Sequence, residues 1–191
     1  MRWSRMTLLT LALLGIGSMA WSIHAFSPAH AADKSGAGVK LQILDWDATQ
    51  KLIASKKGKV VVVDAWSTSC IPCMKEFPNL VALHQQHGKD VACVSLNLDY
   101  IGLSAKPPEF YRERVLKFLT DKKAEFDNVL SSGEADKMYE NLEIPSIPAV
   151  FVYDRQGKLV KTFDSSEGST EEEAFTYADV TALVEKLLKT K

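Results

Sequence analysis

Two cysteines, Cys70 and Cys73, stand two residues apart in the stretch WSTSCIPCMKEFPNL, residues 66–80. A run of four valines, Val60 to Val63, followed by Asp64 and Ala65, precedes them and an amphipathic segment follows, which predicts a buried strand leading into a helix. The free N–H groups and positive dipole end of such a helix favour a thiolate at Cys70. Cys73 lies about one turn further along, within reach of a mixed disulfide formed at Cys70. The pair therefore has the spacing that thiol–disulfide exchange requires.

The two residues between the cysteines carry no charge. Pro72 lacks a backbone N–H, which does little harm at the start of a helix, where that group has no partner anyway. Ile71 is apolar. The strong acidification of Cys70 that a basic residue between the cysteines would give is therefore not expected.

Metal binding and a structural clip are the alternative interpretations of the pair. A closed zinc site needs four ligands, but the chain has one further cysteine, Cys93, and His84 lies roughly 16 Å from Cys73 along a helix. A four-residue clip at a helix start restrains little of the unfolded chain, so it stabilises little. We expect no metal and no cofactor, and we expect Cys93 to be a small buried side chain.

The first residues have the pattern of an export signal. Arg2 and Arg5 precede an apolar run from Met6 to about Ile23, and Ala29-His30-Ala31 is a small-x-small cleavage pattern. We predict a signal peptide at 1–31 and a flexible leader at 32–39. An uncleaved membrane anchor is the alternative, since the apolar run approaches the length that spans a bilayer. Either way the protein is expected in the periplasm or otherwise outside the cytoplasm, where disulfides persist.

Residues 40–191 have the composition and pattern of one α/β domain. The 191-residue chain has a net charge of −1 and no basic stripe, so nucleic acid is not an expected partner. Asp47 with Gln50 and Thr176 with Asp179 resemble capping boxes that open the first and last helices. Strands are predicted at 41–43, 60–65, 91–98, 149–153 and 158–163, and helices at 47–56, 73–86, 110–120, 134–142 and 177–188. A short extended piece is predicted at 128–130, at the end of the otherwise helical stretch 99–128.

The chain resembles the thioredoxin superfamily in two stretches, VVVDAWSTSCIPC and IPSIPAVFVYDRQGKLV. The run C-x-x-C-x-x-E-x-P, here Cys70, Cys73, Glu76 and Pro78, is more like its secreted or membrane-anchored branch, similar to TlpA and ResA. The resemblance covers roughly residues 40–190. It implies the thioredoxin fold, a mixed central sheet flanked by helices in the order β-α-β-α-β, helical insertion, α-β-β-α. It also implies a thiol–disulfide oxidoreductase in which Cys70 attacks, Cys73 resolves, and a Cys70–Cys73 disulfide forms.

The same resemblance assigns supporting roles. Asp64, six residues before Cys70, matches the buried acid that accepts a proton from the resolving cysteine. Pro148 matches the cis-proline opposite the disulfide, and Ile147 before it would pair with an extended substrate. Trp66 is expected in the wall of the active site, so it joins Ile71, Pro72 and Ile147 as a predicted substrate-binding residue.

The sequence departs from the superfamily pattern at several positions around the site. Ile71 replaces the usual glycine and makes the entrance bulkier and more apolar, while Ser69 replaces the tryptophan common before the attacking cysteine. Pro145 is an additional proline on the approach to Pro148. These changes bear on substrate preference and reduction potential, not on the reaction class.

Protein disulfides are the expected substrates, and a membrane-embedded thiol donor is the expected source of electrons for a monomeric reductase. Two other function classes stay open. The first is a binding module or metallochaperone that uses the same two thiols. The second is a thiol peroxidase, although Ser67 stands where the peroxiredoxin pattern has threonine.

Overall fold

A six-stranded sheet forms the centre of the computed structural model, which describes residues 38–164 and 175–190. In chain order its strands are β1 (Lys40–Leu44), β2 (Val60–Trp66), β3 (Val91–Asn97), β4 (Asp127–Ser131), β5 (Ala149–Tyr153) and β6 (Leu159–Phe163). Their order in the sheet is β1-β4-β3-β2-β5-β6. The first four run parallel, while β5 is antiparallel to β2 and β6 to β5. The predicted mixed sheet is confirmed.

Five helices of the described residues cover the two faces of this sheet. They are α1 (Trp46–Ala54), α2 (Ile71–His87), α3 (Pro108–Asp121), α4 (Ala135–Leu142) and α5 (Tyr177–Lys189). Apolar side chains of α2, α3 and α5 pack on one face, and those of α1 and α4 pack on the other. None of these helices is long and apolar enough to cross a membrane.

Strand β2 is apolar at every position except Asp64 because both of its faces are covered. Val60, Val62 and Trp66 point toward α2, α3 and α5, and the alternate residues Val61 and Val63 point toward α1 and α4. Every residue of β2 is buried. The strand is therefore a rigid base for the loop that follows it, which carries the cysteine pair.

The segment predicted as a helical insertion contributes a full strand as well as α3. Strand β4 lies between β1 and β3 and pairs with both, so the short piece predicted at 128–130 belongs to the sheet. The buried Asn128 ties it down, because its side-chain N–H groups donate to the carbonyl oxygens of Lys40, Ala124 and Phe126. Segment 99–128 thus connects β3 through α3 to β4, completing a βαβ unit within the domain.

Three local predictions are corrected. Helix α1 is capped by Asp45, whose carboxylate accepts from the N–H of Ala48, so the predicted cap at Asp47 is wrong by two residues. Helix α2 begins at Ile71, earlier than predicted, because Cys70 itself caps it. Val39, which the predicted boundary placed in the leader, is buried in the core. The predicted signal peptide and the leader up to residue 37 lie outside the described residues.

Trp66 is a core residue, which corrects its predicted contact with substrate. Its side chain has 0% relative exposure, and its ring packs 4.9 Å from that of Phe77 and 4.8 Å from that of Phe118. The rings of Phe77 and Phe118 lie 5.2 Å apart. These three rings join β2, α2 and α3 beneath the site, so Trp66 supports it from within.

Phe77→Ala is expected to lower the free energy of unfolding by about 3–5 kcal/mol, because it opens a cavity between three elements. Urea denaturation measures this loss. Phe110→Ala is the matched control: Phe110 lies on α3 with 57% exposure, and its loss should cost less than about 1 kcal/mol. Equal losses for the two variants would contradict the packing described here.

Candidate active site

The loop Ser67–Ser69 carries the chain from β2 to Cys70 at the amino end of α2. Cys70 has extended backbone dihedrals and is the N-cap residue of the helix. Its sulfur accepts the backbone N–H of Cys73 at 3.2 Å. This N–H is one of those at a helix start that have no partner within the helix. A thiolate at Cys70 would meet the same donor and the positive end of the helix dipole.

Cys70 and Cys73 form a disulfide in this structure, and their Cα atoms are 5.3 Å apart. The two cysteines differ in exposure: Cys70 is half-buried, whereas Cys73 has 2% relative exposure. A bulky disulfide from another protein can therefore approach Cys70 far more readily. This asymmetry supports the predicted order, with Cys70 attacking and Cys73 resolving.

The loop before β5 faces the disulfide. The Ile147–Pro148 bond is cis, and the Ile147 carbonyl oxygen lies 3.9 Å from the Cys70 sulfur. Both residues are half-buried. The structure thus brings Ile147 and Pro148 next to the cysteine pair, where the resemblance placed them.

An open groove of about 570 Å³ begins at Cys70. The predicted substrate residues Ile71, Pro72 and Ile147 line it, and Ile71 is 67% exposed. Ile101, from the stretch after β3, lines it as well and is 59% exposed. Large apolar side chains exposed together beside a reactive sulfur indicate a surface that binds an apolar partner.

Asp64 lies on β2, on the sheet face that α2 and α5 cover, and has 3% relative exposure. The Tyr177 hydroxyl of α5 donates a hydrogen bond to its carboxylate. Burial raises the pKa of Asp64 to about 7, although the Tyr177 hydrogen bond acts in the lowering direction, and nearby Glu76 adds to the rise. An acid with such a pKa can accept and return a proton near neutral pH.

Asp99, just beyond the end of β3, supports the loop that precedes Cys70. Its carboxylate has 0% side-chain exposure. It accepts hydrogen bonds from the Ser67 hydroxyl at 2.7 Å, the Thr68 N–H at 2.7 Å and the Thr68 hydroxyl at 2.5 Å. Arg114 of α3 donates to it at 2.8 Å. Burial alone would raise the pKa of Asp99, but these hydrogen bonds together lower it below its ordinary value.

Sequence reasoning missed Tyr177, Asp99 and Arg114. The register of the strands could have indicated Asp99. Strands β2 and β3 are parallel neighbours with Trp66 opposite Asn97, so Thr68 and Asp99 each lie two residues beyond the same edge of the sheet. Tyr177 heads the buried stripe of α5, where a phenol needs a polar partner. No local pattern indicates the contact between Arg114 and Asp99.

The remaining candidate residues lie away from the cysteine pair or are inaccessible. Cys93 is buried as predicted, its sulfur lies 3.8 Å from the Leu80 carbonyl oxygen, and burial raises its pKa to about 12, with a smaller contribution from Asp64. His84 packs against the Phe126 ring at 5.3 Å. Within residues 38–164 and 175–190, no group of three or more His, Cys, Asp or Glu side chains could hold a metal ion.

Asp64→Asn is expected to stabilise the protein above about pH 7, by an amount on the order of a few kcal/mol. In the unfolded chain this acid ionises near its ordinary pKa of 3.8, whereas in the folded protein its pKa is about 7. Wild-type stability therefore falls as the pH rises through this window, and the variant loses that dependence. Urea denaturation across the window measures the difference, which should vanish below about pH 4.

Asp99→Asn is the matched comparison and should show the opposite sign. Because the folded protein lowers the pKa of Asp99, its ionised form stabilises the fold at neutral pH, and this contribution disappears as the pH falls. The variant should therefore be less stable than wild type at neutral pH and approach it in acid. The same sign for both variants would contradict these two environments.

Comparison with known proteins agrees with this geometry. The sequence profile of the redoxin family matches residues 34–179. The chain is 29% identical over 157 residues to sporulation thiol-disulfide oxidoreductase A of Bacillus subtilis, covering 81% of this chain and 87% of that protein. It is 25% identical over 120 residues to thiol-disulfide oxidoreductase ResA of Bacillus cereus, covering 62% of each, which is less than two thirds of ResA.

The crystal structure of a DsbF homologue from Corynebacterium diphtheriae has the same fold. It superimposes with a TM-score of 0.54 at 21% identity, and the match covers 71% of this chain and 76% of that one. The predicted thioredoxin-like α/β fold is therefore confirmed. The chain belongs to the redoxin family.

Proposed function

We propose that the protein reduces disulfide bonds in protein substrates outside the cytoplasm. The reaction class is thiol–disulfide exchange, the activity that both curated relatives carry in their names. The observation that carries the proposal is the asymmetric pair itself. An accessible Cys70 sulfur caps α2 and is joined to a buried Cys73. Such a pair can attack a partner and then release it.

The reaction proceeds in two exchanges. The Cys70 thiolate attacks one sulfur of the substrate disulfide, a Cys70–substrate bond forms, and the second substrate sulfur leaves as a thiolate that takes a proton. Cys73 then loses its proton, and its thiolate attacks the Cys70 sulfur and releases the first substrate thiol. The substrate gains two electrons, and the protein is left with the Cys70–Cys73 disulfide.

Asp64 accepts the proton that Cys73 loses. Its pKa of about 7 keeps a substantial fraction ionised near neutral pH, so it can act as a base. Tyr177 fixes the orientation of the carboxylate by donating to it. Pro148 and the preceding carbonyl of Ile147 hold an extended substrate segment against the Cys70 sulfur.

The electrons are restored by a membrane-embedded dithiol donor. A monomer suits such a shuttle, because the cysteine pair must present its groove in turn to the substrate and to the donor. The N-terminal pattern of Arg2, Arg5, an apolar run and Ala29-His30-Ala31 supports work outside the cytoplasm, where a reductase cannot draw on the cytoplasmic thiol pool.

Cys70→Ser should abolish reduction of insulin disulfides, since no thiolate remains at the helix end. Cys73→Ser should instead accumulate Cys70-linked mixed disulfides, because Cys70 can attack but nothing resolves the product. Turbidity of reduced insulin and non-reducing gels of trapped complexes measure the two results. Cys93→Ser is the control and should keep wild-type turnover. Full activity in Cys70→Ser would overturn the proposed function.

The double substitution Ile71→Ser and Ile101→Ser should raise KM for a protein disulfide by roughly three- to tenfold, because each substitution removes apolar surface from the groove. Turnover of the small disulfide of oxidised glutathione should change little, since it does not fill the groove. Leu159→Ser, an exposed apolar position on β6, is the matched control and should leave both substrates unaffected. Equal losses on both substrates would show that the groove does not bind protein.

A further inference from the structure

A chain of polar contacts connects helix α3 to the loop that carries Cys70. Arg114 of α3 donates to the Asp99 carboxylate, and Asp99 accepts from Ser67 and Thr68 of the loop. The Ser67 hydroxyl oxygen in turn accepts the Ser69 N–H at 3.1 Å. Ser67 also accepts the Cys70 N–H through its carbonyl oxygen at 3.1 Å. The position of Cys70 is thus coupled to α3 through Asp99.

The central group in this series of contacts is a carboxylate that is buried away from water. Asp99 has 0% side-chain exposure, whereas the Arg114 side chain is 54% exposed. A buried carboxylate is costly unless donors and an opposite charge satisfy it. The loop and the Asn97 amide of β3 supply the neutral donors, and α3 supplies the charge. The Tyr111 ring also contacts Arg114, because the guanidinium lies 5.3 Å from the centre of that ring.

Asp99 also lines the groove in which the Cys70 sulfur is exposed. An uncompensated carboxylate there would disfavour the Cys70 thiolate, because like charges repel and the repulsion is stronger where water is partly excluded. Arg114 cancels that charge while leaving the hydrogen bonds to the loop in place. The other titratable groups that line the groove are Asp136 and Tyr139, both from α4.

We propose that Asp99 and Arg114 are positioning residues for the exchange reaction: Asp99 holds the Ser67–Ser69 loop under Cys70, and Arg114 neutralises Asp99 so that Cys70 can be anionic. This assigns a task to the crossover segment 99–128, because α3 provides the compensating charge. The inference rests on the proposed function, since it concerns the reactivity of the attacking sulfur.

The test titrates Cys70 in a Cys73→Ser background by the ultraviolet absorbance of its thiolate. Arg114→Gln leaves Asp99 uncompensated and should raise the Cys70 pKa by roughly half a unit, a thiolate loss of about threefold when the pKa lies above the assay pH. Arg114→Lys keeps the charge, so the Cys70 pKa of this variant should stay close to the value measured with Arg114. Asp99→Asn leaves Arg114 uncompensated and should lower the Cys70 pKa.

Helix α3 offers a matched control pair in Lys117 and Asp121, whose side chains form an exposed ion pair at 2.7 Å. Lys117→Gln and Asp121→Asn make the same charge changes on the same helix and should leave the Cys70 titration unchanged. Thermal unfolding of each variant separates stability from ionisation. If Asp99 and Arg114 had a purely structural role, both Arg114→Gln and Asp99→Asn would lower the unfolding midpoint. Both would also shift the Cys70 pKa in the same direction.

Two results would overturn the inference: shifts of the same sign in Arg114→Gln and Asp99→Asn, or shifts no larger than those of the control pair. Neither result touches the proposed function, which insulin reduction by the wild-type protein tests separately. Conversely, a wild-type protein without reductase activity could still show the opposed shifts, so the two failures are distinguishable.

Discussion

The placement of one sulfur atom at the amino end of α2 is the interaction on which the rest of the site depends. Cys70 caps the helix and accepts the N–H of Cys73, which would otherwise have no partner there. The rigid, wholly buried strand β2 ends just before the three-residue loop that leads to Cys70. Helix α2 is in turn anchored by Phe77 against Trp66. Sheet, helix and loop thus combine to hold a reactive atom at the surface.

Two buried carboxylates, Asp64 on β2 and Asp99 just beyond β3, have pKa values that are shifted in opposite directions. Asp64 accepts a hydrogen bond from Tyr177 in an apolar layer, where burial dominates and raises its pKa to about 7. Asp99 has several donors and a guanidinium, so its pKa is lowered despite burial. Asp64 and Asp99 thus differ in the number of hydrogen-bond donors that each carboxylate has, and this difference suits them to different roles. In the proposed mechanism Asp64 exchanges a proton, whereas Asp99 stays ionised and holds the loop.

The cysteine pair and the buried strands could be predicted from the sequence itself, because each depends on local periodicity or on spacing within one segment. The mixed sheet could be predicted only through the resemblance to the thioredoxin superfamily, because its strand pairings join distant segments. The contacts of Tyr177 with Asp64 and of Arg114 with Asp99 could not, since 113 and 15 residues separate the partners and no local rule pairs them. Trp66 was misplaced for a related reason. Being next to the active-site loop in sequence suggested a surface role, but strand alternation turns its ring into the core.

The most direct test of the account is the titration of Cys70 in the reduced wild-type protein, read from the ultraviolet absorbance of the thiolate. The helix end should lower the pKa of this sulfur by about one unit or more from the value of about 8.5 for free cysteine, because Arg114 compensates the charge of Asp99 that would oppose the shift. A sulfur that ionises no more easily than the thiol of an unstructured peptide would contradict the account.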